Sequence, residues 1–300
     1  MPRAGVAQFT GSINWEENIV AVRRLSVRAA EAGVNLLGFH ELASTIYPPF
    51  KEDPELFNLA EPDTGPSVEA ARAIARECAL VMVYPFFEND NGRHYNSAIV
   101  FGPKGETLTK FRKASIPYSR LLPGASEAWY FRPGDLGFPV VDTPFGVRLG
   151  LIICYDRNLP EPARCVALNG ADIMFVPVTT VPVTHPWWEL LLRARAVENV
   201  MFVAAPSRVG EDRGGAPGAF YYGESLIIDP RGDVIAHASA TDEDLVWADL
   251  DLDLLAKQRE RWTFVQSRQP DAYGAITATD SPMLKASLAA SPDTTGQSLR

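Results

Sequence analysis

A chain of 300 residues, 46% hydrophobic and 22% charged, can bury the core of one large globular domain or two small ones. Its formal net charge of -9 argues against a nucleic-acid partner, which requires a basic face. Three cysteines, Cys78, Cys154 and Cys165, with no C-x-x-C pair support neither a disulfide framework nor a cysteine zinc site.

No apolar h-region follows Arg3, and no segment approaches the roughly 18 apolar residues of a membrane span. The expectation is a cytoplasmic protein without a membrane partner, folded as a single domain over residues 1–280, with 281–300 as a mobile tail or dimer arm.

Gly5 to Phe9 reads as a first strand. Asn14 and Glu17 resemble a capping box opening an amphipathic helix, whose apolar positions Ile19, Val22, Leu25 and Ala29 recur at helical spacing up to Gly33. Leu36 to Phe39 is a short buried strand ending at His40 and Glu41, and Ala43 to Pro66 is a long loop without a period. Ser67 is expected to cap a helix through Cys78, followed by a strand over Leu80 to Phe87. Asn96 to Phe101 and Thr107 to Phe111 form a hairpin that places Lys113 at a strand end.

An irregular stretch, Tyr118 to Asp135, leads toward the apolar run Leu149 to Ile153, which ends at Cys154. A helix signal follows, with Asn158 as N-cap and Pro160 in the first turn. Ile173 to Val178 and Met201 to Ala205 read as strands around a helix from Pro186 to Glu198. The segment Ser225 to His237 repeats the strand, turn and strand of Ala98 to Leu108, which hints at two related halves. Beyond Val246 to Asp249 the chain reads as irregular.

Cys154 thus lies on the turn between a buried strand and a helix start. Unpaired N–H groups and the positive dipole end of a helix favour a thiolate and can receive an oxyanion. Core filler is the competing reading, as for most reduced cysteines. Glu41, Lys113 and Cys154 all sit at strand ends, where an open α/β sheet gathers ligands. Singly, Glu41 could be a loop charge and Lys113 a solvated lysine beside Arg112. Their apolar surroundings favour burial, and buried charges seek partners.

The motifs F-H-E-L-A-S at Glu41, F-R-K-A-S-I-P at Lys113 and L-G-L-I-I-C-Y-D-R-N-L-P-E at Cys154 resemble, in order and spacing, the nitrilase superfamily of carbon–nitrogen hydrolases. The resemblance runs from about Arg3 to Asp251. It implies an α/β fold, a four-layer α-β-β-α sandwich, with Cys154 as nucleophile, Glu41 as general base and acid, and Lys113 as oxyanion stabiliser. It further implies Glu127 as a second glutamate orienting Lys113 or water, the backbone N–H of Tyr155 as a second oxyanion donor, and a homodimer or larger homo-oligomer. No cofactor or metal is expected.

True nitrilases carry Cys-Trp-Glu where this chain has Cys154-Tyr155-Asp156-Arg157. Arg157 resembles the branches acting on N-carbamoyl amino acids, β-ureidopropionase-like enzymes included, since a guanidinium can hold a substrate carboxylate through two hydrogen bonds. The competing reading pairs Arg157 with Asp156 or Glu161. Asn158 replaces the second arginine of the D-amino acid enzymes, and Tyr118-Ser119-Arg120 replaces their histidine loop, so the broader carbamoyl class is the expected small-molecule substrate. Thr179 and Thr180 are candidates for lining the pocket, and Trp187 and Trp188 for packing. Neutral amides or nitriles are the alternative substrates. A papain-like scheme using His40, His94, His185 or His237, and a non-catalytic scaffold, are the alternatives of other kinds; no G-x-S-x-G, Walker or Rossmann motif is present.

Overall fold

The computed structural model describes residues 1–117, 126–179 and 181–283. In chain order the first half holds β1 (Arg3–Gln8), α1 (Trp15–Glu31), β2 (Leu36–Phe39), α2 (Pro66–Glu77), β3 (Val81–Asp90), β4 (Arg93–Phe101) and β5 (Thr107–Arg112). Then come α3 (Glu127–Tyr130), β6 (Val140–Asp142), β7 (Arg148–Leu151), α4 (Pro160–Leu168), β8 (Ile173–Phe175), α5 (Trp188–Asn199), β9 (Phe202–Ala205), β10 (Val209–Glu211), β11 (Phe220–Tyr222), β12 (Leu226–Ile228), β13 (Val234–His237), β14 (Asp244–Asp249) and α6 (Leu252–Arg261).

Two six-stranded sheets run β14-β1-β2-β3-β4-β5 and β6-β7-β8-β9-β12-β13. Their pairings follow one pattern: antiparallel, parallel, parallel, antiparallel, antiparallel. The hairpins β4-β5 and β12-β13, alike in sequence, occupy the same place in the two sheets.

Strand alternation builds the layers. Ala4, Val6, Leu36, Val81, Val83, Ala98 and Val100 face the second sheet and join one core with Leu149, Leu151, Ile173 and Phe175. Leu37, Phe39, Met82 and Tyr84 face the other way, against Val22 and Leu25 of α1 and Val68, Ala71 and Ile74 of α2. On the far side, Ala163 and Val166 of α4 and Leu192 and Ala196 of α5 pack on the second sheet. The result is an α-β-β-α sandwich. Each fully buried aliphatic or aromatic side chain contributes about 1.5–3 kcal/mol to holding it. The sheets approach closely at Gly38, where an added Cβ would stand 2.5 Å from the Phe175 ring. Gly150 does the same for α4 on β7, with Val166 at 2.4 Å.

Four local expectations are corrected. Asn14 precedes α1, but its side chain does not cap the helix; Asn14 Nδ2 lies 3.4 Å from Glu17 Oε1 instead. Ser67 lies inside α2, and the cap comes from Glu61, which accepts Ser67 N–H at 3.0 Å and complements the helix dipole. Asn158 belongs to a 310 turn, Cys154–Asn158, and Leu159 is the N-cap of α4. The stretch after β14 is helical: Asp251 caps α6 by accepting Leu254 N–H at 2.9 Å, and Arg259 and Arg261 sit in its last turn.

By its contacts the chain divides into residues 1–262 and 263 onward. The second unit contains a 310 turn, Pro270–Ala272, and the short α7 (Gly274–Thr277). The expected tail, 281–300, falls almost wholly outside the described residues, as do Tyr118-Ser119-Arg120 and Thr180. Among the described residues no helix is long and apolar enough to cross a membrane.

Candidate active site

Glu41 follows β2 and enters a turn in which Leu42 has φ +51°. A non-glycine residue in this left-handed region costs on the order of 1–3 kcal/mol and needs its surroundings to hold it. Arg208 supplies the hold. Its fully buried guanidinium donates to the carbonyls of Glu41, Leu42 and Thr45, each at 2.9 Å, and pairs with Asp212 at 2.6 Å. The Glu41 carboxylate is wholly buried. Oε1 accepts from Asn96 Nδ2 at 2.7 Å and Lys113 Nζ at 2.9 Å, and Oε2 from the backbone N–H of Thr179 at 2.9 Å.

Lys113 continues β5, its N–H donating to the Asn96 carbonyl at 2.8 Å. Alternation sends Arg112 to Glu88, Asp90 and Asp135 while Lys113 turns into the site. The Lys113 ammonium is wholly buried and lies 2.5 Å from Glu127 Oε2 as well as 2.9 Å from Glu41, so it is not a solvated lysine. Burial opposes its charge, but Glu127, Glu41 and Cys154 outweigh it and raise its pKa above the ordinary value. Glu127, on α3, is also buried. Desolvation raises its pKa, aided by Glu41, against the pull of Lys113 and of the Tyr47 hydroxyl, which donates to Oε1 at 2.7 Å.

Cys154 opens the 310 turn after β7 with φ +45°, a sharp elbow fixed by Cys154 N–H on the Pro177 carbonyl at 2.9 Å. Its Sγ lies 3.6 Å from the Thr179 carbonyl and 3.6 Å from Arg157 Nη1. The expectation of a readily ionised thiol is corrected. Burial and the Glu41 charge push the thiol up to about 12, against Lys113 and Arg157. A five-residue 310 turn has little dipole to set against that desolvation. Tyr155 is the second residue of this turn, where an N–H has no intrahelical acceptor.

Arg157 is buried, donates Nη1 to the Cys154 carbonyl at 2.8 Å, and lies 5.3 Å from the centre of the Trp188 ring. Neither competing carboxylate claims it. Asp156 accepts the N–H groups of Ser115 and Ile153 at 2.8 and 3.1 Å, and Glu161 is exposed. Arg157 has no carboxylate partner among the described residues, and its Nε has no acceptor there. Trp188 is buried as packing, whereas Trp187 is 41% exposed.

Thr179, a candidate for lining the pocket, is held by protein groups. Its hydroxyl donates to the Glu41 carbonyl at 3.2 Å and accepts from Arg208 Nε at 3.2 Å, so it is engaged with protein. What Thr179 brings to the site is its backbone.

Tyr47, Asn96 and Arg208 were not singled out in the sequence. Asn96 carried a signal, a polar residue on the inward face of a strand that otherwise turns Ala98 and Val100 to the core. Tyr47 and Arg208 lie in irregular segments and are recruited by contacts no local pattern shows.

The histidines do not build a second scheme. His40 is buried with Nδ1 donating to the Glu41 carbonyl at 3.0 Å, and burial holds its pKa well below the usual histidine value. His185 pairs with Glu224, and His94 packs on Phe57 and Phe87. Two clefts of about 350 and 310 Å3 lie elsewhere, and neither is lined by Glu41, Lys113, Glu127 or Cys154. Among the described residues no group of His, Cys, Asp and Glu could hold a metal ion.

A buried carboxylate, ammonium and thiol within one hydrogen-bonded group can move a proton, hold an oxyanion and attack a carbonyl, which is the equipment of a thiol hydrolase. Residues 3–260 match the family model for carbon-nitrogen hydrolases. The chain belongs to that family and is a carbon–nitrogen hydrolase. It is 32% identical to the N-carbamoylputrescine amidase of Arabidopsis thaliana over 285 residues, covering 91% of this chain and 94% of the relative. It is 32% identical to a citrullinase of Francisella tularensis over 91% of this chain and 97% of that protein. The fold superposes on a carbon-nitrogen hydrolase from Helicobacter pylori G27 with a TM-score of 0.85 at 30% identity, covering 93% of this chain and 99% of that one. The sandwich is therefore the nitrilase-type fold.

Proposed function

We propose that the enzyme hydrolyses an N-carbamoyl amino acid, releasing the amino acid, ammonia and carbon dioxide. The observation that carries this reading is Arg157: a buried guanidinium, 3.6 Å from the Cys154 sulfur, with no carboxylate of its own among the described residues. A cation so placed favours a substrate anion, and in an N-carbamoyl amino acid the carboxylate lies only a few bonds from the carbamoyl carbon. The names of two relatives, N-carbamoylputrescine amidase and citrullinase, agree with carbamoylated substrates.

The chemistry then runs through five protein groups. Glu41 takes the thiol proton as Cys154 Sγ attacks the carbonyl carbon, since a thiol whose pKa stands near 12 needs a base at the moment of attack. Lys113 Nζ and the Tyr155 N–H receive the oxyanion. The C–N bond breaks as Glu41 returns the proton to the departing nitrogen. Water activated by Glu41 then cleaves the S-carbamoyl intermediate and restores the thiol, and the carbamic acid released breaks its remaining C–N bond to give carbon dioxide and the second amine, while Glu127 keeps Lys113 oriented. The enzyme is expected to work in the cytoplasm as a homo-oligomer.

The test is a panel of N-carbamoyl-α-amino acids, N-carbamoyl-β-alanine, simple amides and nitriles, with ammonia measured. Arg157→Ala should weaken kcat/KM on carboxylated substrates about 10- to 100-fold, the value of hydrogen bonds to a charged group, and neutral amides far less. Equal losses on both classes would refute carboxylate recognition. Turnover of neutral amides alone would move the assignment to an amidase, and no turnover at all to a scaffold.

A further inference from the structure

Lys113 is shared between two carboxylates, yet only Glu41 is asked to take a proton from the thiol. A lysine fully given to Glu41 would hold that carboxylate ionised and weaken it as a base. The second carboxylate prevents this only while it is itself charged, and burial works against its charge. The group that supports it is the Tyr47 hydroxyl, 2.7 Å from Glu127 Oε1, on the side away from Lys113 at Oε2.

Tyr47 is fixed at both ends. Its backbone N–H donates to Asp212 Oδ2 at 2.9 Å, and Asp212 is paired with Arg208, the same guanidinium that holds the Glu41 loop. Its ring lies edge-on to Phe50 and Tyr221, with centroids at 5.6 and 6.4 Å. One hydrogen-bonded run therefore leads from Arg208 through Asp212, Tyr47 and Glu127 to Lys113 and back to Glu41. The charged and titratable groups facing Tyr47 across this run are Glu127, Glu41, Cys154 and Asp212. Burial first, then Glu127, Glu41 and Cys154, raise the Tyr47 phenol well above its usual pKa, so it stays a donor.

We propose that Tyr47 is a positioning residue whose hydroxyl keeps Glu127 as the carboxylate that draws Lys113 away from Glu41, leaving Glu41 free to take the Cys154 proton. Tyr47 acts through Glu127 and Lys113. This inference rests on the assignment of Glu41 and Cys154 above but not on the identity of the substrate.

Because the substrate is a separate question, the test uses alkylation. The rate of Cys154 carboxamidomethylation by iodoacetamide, followed by quantifying the Cys154 peptide, is measured against pH in the full chain. Tyr47→Phe keeps the ring and removes one donor to ionised Glu127, so the acid limb should move up by about half to one pH unit, with the alkaline plateau nearly regained. Glu127→Gln imitates the protonated form and should sit at the slow plateau, and adding Tyr47→Phe to it should change nothing further. A loss equal at every pH, an unmoved limb, or an undiminished effect of Tyr47→Phe in the Glu127→Gln background would overturn the proposal. Should Tyr47→Phe not fold, the single Glu127→Gln variant decides: an acid limb and plateau like those of the unaltered enzyme refute it. Failure of the substrate panel with the expected alkylation pattern would refute the substrate reading alone.

Discussion

Glu41 Oε2 accepts the backbone N–H of Thr179 at 2.9 Å, across 138 residues of chain. The bond joins the loop after β2 in one sheet to the segment after β8 in the other, strands that hold the same place in the two matching sheets. The carbonyl of the same Thr179 lies 3.6 Å from Cys154 Sγ. One peptide unit on either side of one residue thus sets base and thiol at a common corner, and the site exists only where the sheets are packed together.

Thr179→Val tests whether the side chain serves substrate or scaffold. The backbone bond to Glu41 survives the change, while the Glu41 carbonyl loses a donor and buried Arg208 Nε loses an acceptor. Stability should fall by about 1–3 kcal/mol in urea unfolding, with KM within about twofold of the parent. A large rise in KM at unchanged stability would return Thr179 to the substrate pocket.

Gly38→Ala tests the dependence of the site on sheet spacing. The new Cβ would stand 2.5 and 2.7 Å from two atoms of the Phe175 ring, which is wholly buried in the core, where side chains are close-packed. Overpacking should cost about 1–3 kcal/mol and lower kcat, because Glu41 begins three residues further on. Adding Phe175→Leu should restore part of both. An unchanged kcat in the single variant would show that the corner tolerates a wider gap.

The strands before Glu41 and Cys154 were legible as short apolar runs that stop at the site residue, the strand before Lys113 as the second arm of a hairpin around Pro103-Lys104-Gly105-Glu106, and the matching hairpins as a repeat. Glu127 came from resemblance, and it lies on one helical turn within a stretch read as irregular. The helix Leu252–Arg261 was missed although Asp251 and the basic last turn mark its ends; its buried face is reduced to Leu255, so the apolar period is faint. The thiol was misjudged in direction because position at a turn is written in sequence, whereas desolvation and a neighbouring carboxylate come only with packing. Arg208 was invisible for the same reason, since its acceptors are carbonyls of a loop more than 160 residues away.

Arg208→Met tests that staple. The substitution leaves Asp212 buried without its cation and frees the carbonyls of Glu41, Leu42 and Thr45. Breaking a buried pair in this way costs about 3–5 kcal/mol, and the loosened Leu42 turn should lower kcat in the protein that still folds. Arg208→Lys should not rescue, because one ammonium cannot serve acceptors spread around a planar fork. Full activity per folded molecule in Arg208→Met would separate the staple from catalysis.

Cys154→Ala tests the direction of the thiol shift through stability. The thiol pKa rises from an ordinary 9.0 to about 12 on folding, through burial first and the Glu41 charge second. Between those values the native chain keeps a proton that the unfolded chain has released, so unfolding is favoured increasingly as pH rises. At pH 10 the unaltered enzyme should have lost about 1 kcal/mol more than Cys154→Ala, relative to pH 7, in paired urea unfolding curves. Cys78 titrates alike in both proteins and drops out of the difference. Parallel losses in the two proteins would mean that the thiol is not desolvated as its burial requires, and a smaller loss in the unaltered enzyme would mean that the lysine and the turn lower its pKa after all.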